Sequence, residues 1–232
     1  MNTQKLMDIL SQLQNQIKSH PFLSESKRKF YTNKIVSLVQ TYASVEIAEI
    51  HQDLYESLIN GGNNLIKALK KEKNIKELNQ KTNYYLRYVH ASIYDFNGDI
   101  QGINYYTRAF MITAALFMGL TPQFYGFVLP IIFILPIFAG LRGVKKRNYT
   151  GFLMTLSVVP MGIMSGITWI RYFLQVALPD FENTVASSAK AWNVSPTVGM
   201  YLIIIPSILS VVLILSSCTT LYFAYRYRNM FV

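Results

Sequence analysis

Residues 109–141 read AFMITAALFMGLTPQFYGFVLPIIFILPIFAGL, 33 positions without an Asp, Glu, Lys or Arg. A helix crosses the roughly 30 Å hydrocarbon core of a bilayer with about 20 apolar residues. A single helix of this length would reach roughly 50 Å, so the stretch must turn back on itself. Thr121-Pro122-Gln123 is the place for the turn, because proline opens a helix readily and sits badly inside one. The reading is a hairpin of spans at about 103–120 and 123–141.

Two further charge-free runs follow, residues 148–170 and 191–225. They extend to spans at about 151–178 and 198–225, which makes residues 101–232 a four-helix transmembrane domain. In the other direction the chain changes character. Residues 1–108 carry 14 basic and 10 acidic side chains, whereas residues 109–232 carry 8 and 2. With only 15% charged residues overall the chain is not a purely soluble globule, and the lone Cys218 excludes a disulfide scaffold.

Residues 1–100 read as an all-α head, a bundle of three helices. Leu6, Leu10, Leu13 and Ile17 share one face of a helix over 3–18, which His20-Pro21 breaks. Ser24 or Ser26 can cap the next helix by accepting a bond from a free backbone N–H. Ile35, Leu38, Tyr42 and Val45 continue from Tyr31 as a seam of coiled-coil spacing, the expected surface for head association as well as for the head's core. The stripe then shifts to Ile47, Ile50, Leu54 and Leu58, as at a stutter. Asn60-Gly61-Gly62-Asn63 reads as the end of this long second helix, since glycine accepts the left-handed conformation of a helix terminus. A third helix over about 64–95 presents KALKKEKNIKE as its wet face.

The joint between the two parts, Asp95-Phe96-Asn97-Gly98-Asp99, has D-x-N-x-D spacing, but Ile100 and Tyr106 stand where a calcium loop needs glycine and a bidentate acid. A plain turn is the better reading. Tyr84, Tyr85, Tyr88, Tyr94, Tyr105 and Tyr106 flank it, as rings at headgroup level do.

Basic residues set the orientation. Arg142, Lys145, Lys146 and Arg147 form one cluster and Arg226 with Arg228 another, while the 179–196 loop sets only Lys190 against Asp180 and Glu182. The clusters belong inside and the loop outside. Four spans return the head to the cytoplasm, in keeping with a polar start, MNTQKLMDIL, that lacks the apolar core of a secretory signal. Both termini are then cytoplasmic, in an integral protein of the cell membrane.

Candidate sites are few. Gly162 and Gly166 fit the small-xxx-small spacing that lets helices pack closely. Arg171, near the outer end of its span, reads as an interfacial anchor. Ser207, Ser210, Ser217 and Thr220 form a possible polar stripe on the last span. His20, His51 and His90 stand alone, and no H-E-x-x-H, P-loop, G-x-S-x-G or Cys pair is present. The expectation is therefore no catalytic residue, no cofactor and no metal. Asn148-Tyr149-Thr150 is a formal sequon on the wrong side of the membrane. The sequence points to a non-enzymatic multi-pass protein acting as adaptor, assembly factor or accessory subunit. Its partners are the lipid bilayer and a protein, or a second copy, held through the head; nucleic acid is not expected. The alternative is a homo-oligomeric channel or small transporter subunit.

Overall fold

The structure, a computed structural model, describes residues 3–71 and 74–232. It is all-helical, 86% helix without a strand among the described residues. It divides into two compact units. One takes in residues up to Gln101 with the terminal stretch Asn229–Val232; the other is Gly102–Arg228.

Among the described residues the first unit has four α-helices before Gln101, where the sequence suggests three: α1 (Gln4–Ser19), α2 (Glu25–Tyr42), α3 (Gln52–Lys71) and α4 (Ile75–Phe96). The apolar face of α1 is wholly buried, Leu6, Leu10, Leu13 and Ile17 at 0% exposure, and packs against α2 and α3. Ser24 stands at the cap position of α2 with an extended backbone, but its side chain makes no capping bond. Asn74 does cap α4, accepting from the N–H groups of Lys76 and Glu77 at 3.1 and 3.4 Å.

Two corrections explain the extra helix. The long second helix breaks after Tyr42, and the stripe shift at Val45 is not a stutter. Val45 and Ile47 are buried while Ser44, Glu46 and Ala48 are exposed, the alternation of a short extended segment. Ile50, placed on the inner stripe by its spacing, is 86% exposed on the single turn Glu49–His51. Gly61-Gly62 does not end a helix either; α3 runs straight through it. The glycines make room for a neighbour. A Cβ on Gly62 would lie 2.5 Å from both Ile9 Cγ2 and the Tyr85 hydroxyl, and Tyr85 donates to the Leu58 carbonyl at 3.0 Å. Of the proposed wet face, Glu72 and Lys73 lie outside the described residues. Past α4, Gly98 adopts φ +69° and the Asp99 N–H returns to the Tyr94 carbonyl, so the Asp95–Asp99 stretch is a helix-ending turn. Met230 and Phe231, from the terminal stretch, are buried as well.

The second unit contains α5 (Gln101–Leu120), the one-turn α6 (Pro122–Tyr125), α7 (Val128–Lys145), α8 (Tyr149–Tyr172), α9 (Phe181–Trp192) and α10 (Pro196–Tyr227). Among the described residues, three stretches are long and apolar enough to cross a membrane: Val128–Lys145, Tyr149–Ala177 and Pro196–Met230. The helix before them, α5, is not among the three, since Asn104, Tyr105, Tyr106 and Arg108 dilute its first half. At Thr121-Pro122 the chain makes one helical turn and a Gly126 bend at φ +67° before α7 begins, five residues later than the expected 123. Past α8 the backbone widens into a π turn over Phe173–Ala177. The 179–196 region is also not a loop: it holds α9, which packs on α10 where Gly199 brings the backbones close, leaving Trp192 64% exposed.

Candidate functional site

The helix α8 is the axis of the second unit, with α7 on one side and α10 on another. Glycine sets both contacts. Against α7, a Cβ on Gly143 would stand 2.6 Å from the Gly151 Cα, and one on Gly140 would stand 2.7 Å from Thr155 Cγ2. Against α10, a Cβ on Gly166 would stand 2.6 Å from Ile214 Cγ1 and 3.1 Å from the Ser210 carbonyl; one on Gly162 would stand 3.2 Å from Ser217 Oγ. Sequence reading named Gly162 and Gly166 but missed Gly140, Gly143 and Gly151. Their signal was available: three glycines close to the turn between two apolar runs, on segments that a short connection forces to be antiparallel neighbours.

The seam where α5, α8 and α10 meet is lined with hydroxyls. Tyr106 and Thr155 share a hydrogen bond of 2.6 Å. Thr113 Oγ1 donates to the Ala109 carbonyl and lies 3.1 Å from both Ser216 Oγ and Thr220 Oγ1. Further along, Thr121 and Ser165 join at 2.9 Å, and Trp169 Nε1 donates to the Leu120 carbonyl at 2.9 Å. Ser210, Ser217 and Thr220 are fully buried and Ser207 nearly so. Ser207 donates to Ile203 O, Ser210 to Ser207 O and Thr220 to Ser216 O, each within its own helix. Among the described residues, the Ser217 hydroxyl, close to Gly162, has no hydrogen-bond partner. The four stripe residues thus lie on one inward side of α10.

Arg171 is exposed at the far end of α8, its Nε donating to Gln175 Oε1 at 2.8 Å. Near it, Gly119, Gln123, Trp169, Tyr172, Trp192 and Pro206 line a cleft of about 380 Å³. Pro206 has no N–H for the Leu202 carbonyl on that wall.

In the first unit, Ile35, Leu38, Tyr42 and Val45 are all in the core, at 0%, 2%, 0% and 8% exposure. Tyr42 donates to the Val89 carbonyl at 2.8 Å and touches Ser92 Oγ at 2.8 Å, tying α2 to α4. Burial pushes the Tyr42 and Tyr85 phenols well above their ordinary range. It pushes the Lys34 ammonium down, helped by the Arg87 charge. The three histidines remain apart: His20 Nε2 bonds the Leu69 carbonyl, His51 meets the edge of Phe96, and His90 stacks on Tyr94. A shallow cleft between α3 and α4 is walled by Ser57, Gly61, Lys81 and the stacked rings of Tyr84 and Tyr88.

Comparison with protein families, with curated proteins and with solved structures gives no match. The class that the fold defines is an all-helical protein with three helices able to cross a membrane.

Proposed function

We propose that the protein is a four-span membrane protein of non-enzymatic type, acting as adaptor, assembly factor or accessory subunit through a cytoplasmic head. The fourth span is α5. Its register supports this: Tyr106 meets Phe152 and Thr155 at one end of α8, and Leu120 and Thr121 meet Trp169 and Ser165 near the other. Over that interval α5 advances roughly 20 Å beside a helix that itself qualifies as a span. The basic residues at Arg142–Arg147 and at Arg226 and Arg228 then put the head and both termini inside, in an integral protein of the cell membrane.

The observation that carries the non-conducting reading is the fate of the α10 hydroxyls. A conducting path needs polar groups facing a water-filled route at every depth. Here Ser207, Ser210 and Thr220 satisfy carbonyls of their own helix inside a closed seam. The head, by contrast, exposes Phe22, Phe30 and Tyr84 at 60%, 57% and 62%, which supports a protein partner there. Because Ile35, Leu38, Tyr42 and Val45 are inside the core, a partner or second copy has to use this outer surface.

The test is ion flux from liposomes holding the purified full chain. No flux above empty vesicles is expected. A reproducible flux that Ser210→Leu abolishes, at unchanged expression and complex mass, would make the channel or transporter subunit the better reading.

A further inference from the structure

Between α5 and α10, bordering the hydroxyl seam at Ser216, lies a groove of about 370 Å³. Tyr105 and Phe223, stacked at 6.0 Å and 24°, lie on its wall, and Ile112, Val212 and Leu215 are its large aliphatic side chains. These three are 52%, 47% and 62% exposed, so the wall is open to whatever surrounds the bundle. One charge lines it. Arg108 is exposed, and among the described residues it has neither an ion pair nor a hydrogen bond.

Its level suits this arginine to a headgroup. Gly102 packs against Tyr227 at the end of α10, so Arg108 stands roughly 9 Å along α5 from that end. With 32 residues, α10 is roughly 48 Å long and overhangs a core of roughly 30 Å by about 9 Å at each end, which sets Arg108 at the edge of the hydrocarbon, where phosphates lie. The hydroxyls beside it are already engaged: Thr219 donates to the Leu215 carbonyl at 2.8 Å and Ser216 to the Leu213 carbonyl at 3.0 Å. The groove therefore offers one guanidinium, a planar fork suited to a phosphodiester, at the mouth of an apolar trough.

We infer that this groove binds one anionic phospholipid, its phosphate on Arg108 and an acyl chain along Ile112, Val212 and Leu215. A second copy of the chain cannot supply the anion from its spans, because Asp180 and Glu182, beyond the far end of α8, are the only acids after Arg108. The inference rests on α5 crossing the bilayer, which the same set of experiments checks.

The full chain, purified in mild detergent, is equilibrated with phosphatidylglycerol or with phosphatidylcholine of the same acyl chains and weighed by native mass spectrometry. One phosphatidylglycerol should be retained in preference to phosphatidylcholine. Arg108→Gln should lower that retention about tenfold, the loss of a charge-assisted bidentate contact, while Arg171→Gln leaves it unchanged. Equal retention of both lipids, or equal retention by Arg108→Gln, would overturn the site and leave Arg108 a snorkelling side chain. Displacement by millimolar inorganic phosphate would equally overturn it, in favour of a plain anion site. A Cys218→Ser background carrying Asp99→Cys or Gln123→Cys is labelled in parallel in sealed vesicles. Labelling from opposite faces with no lipid preference defeats the lipid site alone, whereas labelling from one face defeats the crossing of α5.

Discussion

Gly61 and Gly62 show how a pair of residues can carry two opposite meanings. In the sequence, Asn-Gly-Gly-Asn resembles a helix stop. In the structure the pair sits in mid-helix because Tyr85, from a different helix, lies across it. Nothing local announces that contact; its partner is supplied by tertiary packing. The two positions should respond differently to alanine. At Gly62 the new methyl meets Ile9 and the Tyr85 hydroxyl at 2.5 Å, an overpacking of about 1 to 3 kcal/mol. At Gly61 the approach to the Tyr85 ring is 3.2 Å, and the helix-propensity gain of about 1 kcal/mol offsets it. Thermal unfolding followed by circular dichroism in mild detergent should show a lower midpoint for Gly62→Ala and a nearly unchanged one for Gly61→Ala. Equal midpoints would mean that Tyr85 does not seat there.

At the scale of the element, strong periodicity was readable and its interruptions were not. The face of α1 follows directly from Leu6, Leu10, Leu13 and Ile17. The extended segment at Val45–Ile47 is too short to declare a period of two, so its buried residues merge with the helical stripe before it. The amphipathic α9 gives only a weak periodic signal because it carries few large apolar residues, Phe181, Val185 and Trp192, between two stronger runs. Helix contacts were legible only where small residues recur at four. The α7 and α8 contact at Gly143 and Gly151 crosses a turn and follows no such interval. It is nevertheless the tighter one, backbone against backbone, with no flexible side chain to yield. Gly143→Ala should therefore lower the detergent melting temperature and broaden the size-exclusion peak. Gly119→Ala, with nothing within 4 Å of its new methyl, should do neither. A wild-type profile for Gly143→Ala would show that the two helices are further apart.

For the whole molecule, the division into a charged first part and an apolar second part was plain from the distribution of Lys, Arg, Asp and Glu. What the composition could not supply was the standing of α5, whose first half is mixed and whose depth is visible only from the partners of Tyr106 and Trp169. The proposed topology predicts that, in a Cys218→Ser background, a cysteine at Ser187 reacts with an impermeant reagent added to intact cells. Cysteines at Lys146 and at Lys70 in the head should react only after lysis. Efficient labelling at Lys70 in intact cells would put the head outside and reduce the spans to three.

The hydroxyl seam has a bearing on how the second unit meets its solution. Tyr106, Thr113, Thr121, Thr155, Ser165 and Thr220 hold α5, α8 and α10 with neutral dipoles, fully buried or nearly so. Such contacts bind no proton near neutrality and have no ion atmosphere to lose. The cohesion of these helices is thus uncoupled from electrolyte and acidity. Any response of the protein to ionic strength has to enter through the basic ends of the helices and the charged surface of the first unit, not through the interior that holds these helices together.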